Sequence, residues 1–317
     1  MYNLLYHNRQ LFCFAFVLIF ISACSTAPVI DPSVMIKSKP LITFVFDDGN
    51  ETDYTVAKDI FSARGEVAST AVVTGWINTK DYLSVSQLTE LQQTGWEIMG
   101  HTVSHPNLRD LSESQLEAEL SQSKAALEGW GIHVRNMVYP YNKSNETVRR
   151  IAAKYYRAGR AGQKMMNSPG SDPYDLKSYS CELSFWHKMD DIKGLIDRAY
   201  SEKKWLILYQ HLIDAKIRIS GKRGVFVPGE MLSFIPSGAA GKYIKDSLWS
   251  IQFVPLSGTP QPGDTVTGLS SGASAKLWEV YYNEREALTE MIEYVHKKYP
   301  DMQIVTIDKG LDLLEIR

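Results

Sequence analysis

Leu41 to Phe46 is a mostly apolar run of strand length that stops at Asp47-Asp48-Gly49. Val56, Ile60 and Phe61 then recur at helical spacing as far as Arg64-Gly65, and Val67 to Val73 returns to strand texture. Leu88 and Leu91 belong to a second helix that ends at Gly95, ahead of a strand from Trp96 to Gly100. The clearest helix begins at Ser112, where Gln115 completes a capping box. Leu116, Leu120 and Leu127 form its buried stripe, and Gly129 follows its end. Met137 to Tyr139 reads as a strand, Glu146 to Lys154 as a helix and Trp205 to Tyr209 as a strand. This alternation predicts a mainly parallel β/α architecture, whose functional groups gather at the carboxyl ends of its strands. Asp47, Asp48, His101, Tyr141 and His211 all fall at such ends.

From Lys216 to Val280 the texture changes. Nine of the chain's 21 glycines lie there, with Pro228, Pro236, Pro255, Pro260 and Pro262, and helical periodicity is absent. The segment reads as a small β-rich insertion at 216–280 in a domain formed by 41–215 and 281–317. Its Phe226, Phe234, Tyr243, Trp249 and Phe253 offer flat apolar faces for stacking on a ligand, or else a core for the insertion itself. Beyond it a helix at Glu284 to Tyr299 and a strand at Gln303 to Ile307 resume the β/α pattern.

With 317 residues, 44% hydrophobic and 22% charged, the chain has enough apolar material for a substantial core, which excludes disorder, collagen and coiled coil. Its 34 basic and 36 acidic residues leave no excess that would attract nucleic acid. Arg9 followed by the uncharged run Leu11 to Ala23, too short for a membrane span of about 20 residues, suits a secretory signal at 1–23. Ile21-Ser22-Ala23-Cys24 resembles a bacterial lipobox, in which Cys24 would be acylated after cleavage. An ordinary signal peptide that happens to contain Cys24 is the alternative. Residues 24–40, rich in Pro and Ser, read as a tether. Cys181 then stands alone, so the fold relies on its core rather than on a disulfide.

His101 and His105, four apart, can present two imidazoles to one metal. Adjacent acids such as Asp47 and Asp48 often cap a helix or begin a turn. At the end of a buried strand they repel each other, unless one binds a cation and the other accepts protons. Asp48, His101 and His105 together would make three protein ligands and leave positions open, as in a catalytic site.

These residues resemble the polysaccharide deacetylases with the NodB-homology domain. Thr43 to Gly49 is similar to the family's first motif and His101 to His105 to its second. Val138-Tyr139-Pro140-Tyr141-Asn142 is similar to the third and Leu208-Tyr209-Gln210-His211 to the fifth. The resemblance spans roughly 39–214 and 281–312. It implies a distorted (β/α) barrel and a metal-dependent hydrolase that removes acetyl groups from amino sugars or esters. Asp47 would be the general base, Asp48, His101 and His105 the ligands of a divalent metal, and His211 the acid. Tyr141 would supply an oxyanion N–H, and Leu208, Pro140 and Trp186 would line the substrate site with Phe185 and His187 nearby. Val138 stands where the third motif often carries an Arg bracing the base, and Arg157 or Arg160 is left to replace it. Glu182 or Asp214 would orient His211, while His133 and His296 read as structural. The expected protein is a zinc-dependent N-deacetylase of an amino-sugar polysaccharide. A polysaccharide O-acetyl esterase and a carbohydrate-binding lipoprotein with a degenerate site are the alternatives. Its partners are then the polysaccharide and a membrane. Ser25 after Cys24 resembles the sorting signal of outer-membrane lipoproteins in Gram-negative bacteria. If Cys24 carries the lipid, Cys24→Ser yields protein that no longer fractionates with membranes; a mutant still membrane-bound would show that the leader persists as an uncleaved anchor.

Overall fold

The computed structural model describes residues 39–185 and 188–317. The signal, all but the last two residues of the tether, Cys24, Trp186 and His187 therefore lie outside the described residues. Among those described, no helix is long and apolar enough to cross a membrane.

Seven parallel strands close a barrel: β1 (Leu41–Phe46), β2 (Ser69–Val72), β3 (Glu97–Gly100), β4 (Asn136–Val138), β5 (Ala158–Gln163), β6 (Leu176–Ser180) and β7 (Trp205–Gln210). Closure runs through β1 and β7, which pair in register from Leu41↔Trp205 to Phe46↔Gln210. On its other edge β1 is shared, its first two residues pairing with β14 (Gln303–Ile304) and its last two with β2. That is the distortion of this (β/α) barrel.

Alternation along the strands sorts the core into two layers. Val45, Ala71, Met99, Val138, Ala158 and Ile207 fill the interior. Phe44, Phe46, Leu206 and Leu208 face the surrounding helices. There Phe46 stacks on Trp96 at 5.6 Å between ring centroids, with Phe61 edge-on to both. The helices are α1 (Lys58–Ser62), entered through a π-helical turn at Asp53–Ala57, α2 (Val85–Gln93), α3 (Glu113–Gly129), α4 (Glu146–Ala152), α5 (Met189–Ser201) and α6 (Glu284–Lys298). Ser112 and Gln115 form the expected capping box of α3, and Ser84 with Gln87 forms another on α2. A final helix, α7 (Ile307–Leu313), plugs the amino-terminal end of the barrel with Ile307 and Leu311. The expected strand at Gln303 to Ile307 is thus shortened to β14, because Ile307 already begins α7.

The β-rich segment forms a second closed barrel of six antiparallel strands in the order β10-β11-β8-β13-β12-β9. These are β8 (Ala215–Arg223), β9 (Met231–Ile235), β10 (Ala240–Asp246), β11 (Ser250–Ser257), β12 (Thr265–Gly268) and β13 (Ser274–Asn283). It therefore runs from 215 to 283 rather than 216 to 280. Phe226, Phe234, Tyr243 and Phe253 are buried in its core and do not present open stacking faces; Trp249, 68% exposed, is the exception. The four buried rings fill the barrel interior, as side chains do in small barrels. Ile244, Val254 and Leu256 turn the other way and pack against the core of the first barrel.

Gly310 sits on the buried Trp205 indole, which donates to Thr43 Oγ1 at 2.9 Å and cannot yield. Gly→Ala in an open helix gains up to about 1 kcal/mol. Here overpacking reverses the sign, so Gly310→Ala lowers stability by about 1–3 kcal/mol, measured as a lower urea midpoint. A higher midpoint would mean that α7 is not pressed against Trp205.

Candidate active site

The strand ends bring Asp47, Asp48, His101, His105, Tyr141 and His211 to one mouth of the barrel. Asp48, His101 and His105 form a cluster whose ligand-type atoms all lie within 4.8 Å of one another. Both imidazole Nε2 atoms stand 3.5 Å from Asp48 Oδ1. His101 Nδ1 lies 2.8 Å from the Val138 carbonyl, which can only accept, so Nδ1 carries the proton and Nε2 offers its lone pair. Burial and the neighbouring His101 hold the His105 pKa below the ordinary imidazole value, so His105 also favours its ligand form. Burial would raise the Asp48 pKa, but the neighbouring imidazoles of His101, His211 and His105 outweigh it and lower it. Asp48 Oδ1 is buried and has no hydrogen-bond partner. An orphaned carboxylate oxygen facing two imidazole lone pairs is a donor set that fits a divalent cation.

The backbone is bent to make this possible. Asp48, Thr102, His105 and Tyr141 all have positive φ, at 78°, 71°, 60° and 58°. Conformations of this kind cost on the order of 1–3 kcal/mol each and persist only where surrounding contacts impose them. Glu119 on α3 supplies such contacts, accepting from the Val103 and Ser104 N–H groups at 2.8 and 3.0 Å and from the Ser104 hydroxyl at 2.6 Å. Thr102 Oγ1 accepts from the His105 N–H at 3.0 Å. Neither Glu119 nor Thr102 stands out in the sequence, because each acts through a backbone turn rather than a motif.

Arg160, 0% exposed, donates to both carboxylate oxygens of Asp47 and to Asn142 Oδ1. Val138 on β4 is paired with Arg160 on β5, so the guanidinium reaches Asp47 from the neighbouring strand at the same level. Arg157 bonds Asp308 and Asp312 near the opposite end of the barrel, each at 2.7 Å. Glu182 takes the place beside His211, accepting from its backbone N–H at 3.2 Å and lying 3.2 and 3.3 Å from Nδ1. Asp214 instead accepts from Gln252 and Tyr282 of the small barrel.

Leu208 does not line the site. It is fully buried among the helix-facing residues, and the period of two along β7 turns Tyr209 to the mouth instead. Arg160 stacks over the Tyr209 ring at 4.6 Å, and Tyr209 meets His211 edge-on. Pro140 is buried beneath the turn that projects the exposed Tyr141, whose ring rests against His105 at 4.7 Å. Nothing in the described residues bears on Trp186. His133 and His296 lie away from the mouth, bonded to Gln92 and Glu66.

Asp48, Asn50, Glu182, His211 and Leu212, with Gln252 and Tyr282 of the small barrel, line a hollow of about 310 Å³. The arrangement is a β/α barrel whose mouth joins a cation-type cluster, a braced carboxylate and a carboxylate-bound imidazole. Residues 35–157 match the polysaccharide deacetylase family profile, so that part of the chain is similar to the family. The curated relative YxkH of Bacillus subtilis (strain 168), whose name assigns it to the polysaccharide deacetylases, is 27% identical over 146 residues, 45% of this chain and 50% of its own length. The match thus spans half of that relative. Among solved structures, the Streptococcus pyogenes deacetylase PplD in complex with acetate is 27% identical, covers 43% of this chain and 62% of its own, and superposes with a TM-score of 0.41. A T48 deacetylase with substrate covers 86% of this chain and 92% of its own at 13% identity and a TM-score of 0.49.

Burial works to lower the His211 pKa, but the Glu182 hydrogen bond and the charges of Asp47, Glu182 and Asp48 prevail and raise it to about 9. Since the folded value exceeds the free imidazole value of 6.5, this contribution to stability is complete below that pH and lost as pH rises through 9. In metal-free protein, NMR titration of His211 therefore has a midpoint near 9, and Glu182→Gln moves it toward 6.5. An unmoved midpoint would show that Glu182 does not hold the proton.

Proposed function

We propose that this protein is a metal-dependent hydrolase that removes N-acetyl groups from an N-acetylated amino-sugar polysaccharide. The observation that carries the reading is the unpartnered Asp48 Oδ1 between the two imidazole Nε2 atoms. Asp48, His101 and His105 would hold the cation, and two imidazoles with one carboxylate favour zinc. Such an ion supplies Lewis acidity, lowering the pKa of water and polarising the acetyl carbonyl.

The remaining steps belong to the chain's own side chains. Asp47, its orientation fixed by Arg160, takes the proton as water attacks the carbonyl. The Tyr141 N–H is assigned to the oxyanion that forms. His211 delivers a proton to the departing nitrogen, with Glu182 holding the imidazole in place. A raised His211 pKa supports amide over ester cleavage, because an amine leaves only once protonated whereas an ester oxygen needs less help. Tyr209 takes the role expected of Leu208 beside the acetyl group. Attachment to the cell envelope, through a lipid on Cys24 and at the outer membrane, rests on the leader sequence alone.

The proposed roles separate by metal content. His105→Ala loses bound metal and acetate release together, whereas Asp47→Asn keeps its metal and loses about 10²–10⁴-fold in turnover. Metal analysis alongside acetate release from N-acetylglucosamine oligomers and from acetylated xylan measures both. Full activity in chelator-stripped protein overturns the metal role, and release from xylan alone makes the protein an esterase.

A further inference from the structure

Beside the mouth, a second cleft of about 500 Å³ runs between the two barrels. One wall is the segment after β1, with Asn50, Thr52 and Thr55; the other is the small barrel, with Lys242, Tyr243 and Ile244. Its volume lies in the ordinary range of ligand pockets, roughly 300–1,000 Å³. Asn50 and Leu212 line both this cleft and the hollow beside His211, so the two spaces adjoin. On the other side Tyr82 lines the cleft, and its ring packs on Trp76 at 5.0 Å, which packs on His105 at 5.5 Å. Two packed rings thus stand between the cleft and His105, and the cleft meets the mouth through the shared hollow that Asp48 borders.

We infer that this inter-barrel cleft is a binding site for the sugar units that follow the reacting one along an uncharged glycan chain. The inference rests on the deacetylase reading and extends it to the length of chain recognised. The walls carry the chemistry of a sugar ring. Leu212 and Ile244 offer apolar faces, and Asn50 and Thr55 offer polar edges. Formal charge in the lining cancels, since Lys80 and Lys242 stand against Glu51 and Asp81. Lys242 lies 3.3 Å from Asp81 and 3.5 Å from Glu51, so its cation is already shared between two carboxylates of the first barrel. A strongly anionic or cationic ligand would have to break that bridge, and a neutral one leaves it intact. The packing of Val254 and Leu256 into the main core holds the second wall in place before any ligand arrives.

Thr55 is exposed at the rim, and Thr55→Trp fills the cleft without touching the barrel interior. The quantity measured is the ratio of kcat/KM for an N-acetylglucosamine hexamer to that for the dimer. The expected result is a fall of about tenfold in this ratio for Thr55→Trp, with Lys242→Ala moving it the same way. A misfolded variant lowers both values and leaves the ratio alone, so an unchanged ratio in two folded variants overturns the inference. If the wild-type protein releases no acetate from either oligomer, the deacetylase reading fails and the cleft is judged by calorimetry. Hexamer binding that Thr55→Trp weakens sustains the inference, and absence of binding overturns it.

Discussion

Two adjacent carboxylates at the mouth of a buried barrel repel each other, and the molecule is organised around keeping them apart. Asp47 is answered from across the barrel by Arg160, a guanidinium with no exposed surface. Removing either partner of such a pair would strand a buried charge, at a penalty of about 3–5 kcal/mol. Asp48 is turned the other way by its positive φ and faces the two imidazoles. Gly49 is what allows the chain to leave between them, because a Cβ there would press on Val72 and its φ is 72°. One dipeptide is thus divided into a braced group and a ligand-type group by backbone geometry alone.

Much of this was legible in the sequence, and the rest was decided by register. The run ending at Asp47 and the capping box at Ser112 are local patterns, and local patterns survive folding. Strand β5 reads Ala-Gly-Arg-Ala-Gly-Gln and carries no apolar run, because Gly159 must pass beneath the Tyr139 hydroxyl and Arg160 must serve the mouth. Arg157 and Arg160 look equivalent in sequence. Only the pairing of Val138 with Arg160 shows which of them reaches Asp47. Leu208 and Tyr209 differ by one position in a strand, which is the difference between the helix layer and the mouth. Glu182 and Asp214 could not be ranked from sequence, since each lies beside a different barrel.

The carboxyl groups behind His211 show how closely the two barrels share their polar groups. Glu284, at the start of α6, accepts from the Ser184 N–H at 2.9 Å, and the Asp214 backbone carbonyl accepts from the Glu284 N–H. Burial pushes the Glu284 pKa up to about 8, the Ser184 hydrogen bond opposing it and the nearby Glu182 and Asp214 adding to it. The residues that tie the small barrel to the large one thus surround the carboxylate that holds His211.

The strands that connect the small barrel to the rest of the chain, β8 and β13, are paired with each other down to Ala215↔Asn283. Paired antiparallel residues lie roughly 5 Å apart, so the chain departs from the large barrel and returns to it at nearly one point. A loop of a few residues could bridge that gap with β7 and α6 left where they are. The six-stranded module is therefore detachable in principle: exchanging it would change what borders the mouth while the strands that carry Asp47, His101 and Arg160 kept their registers.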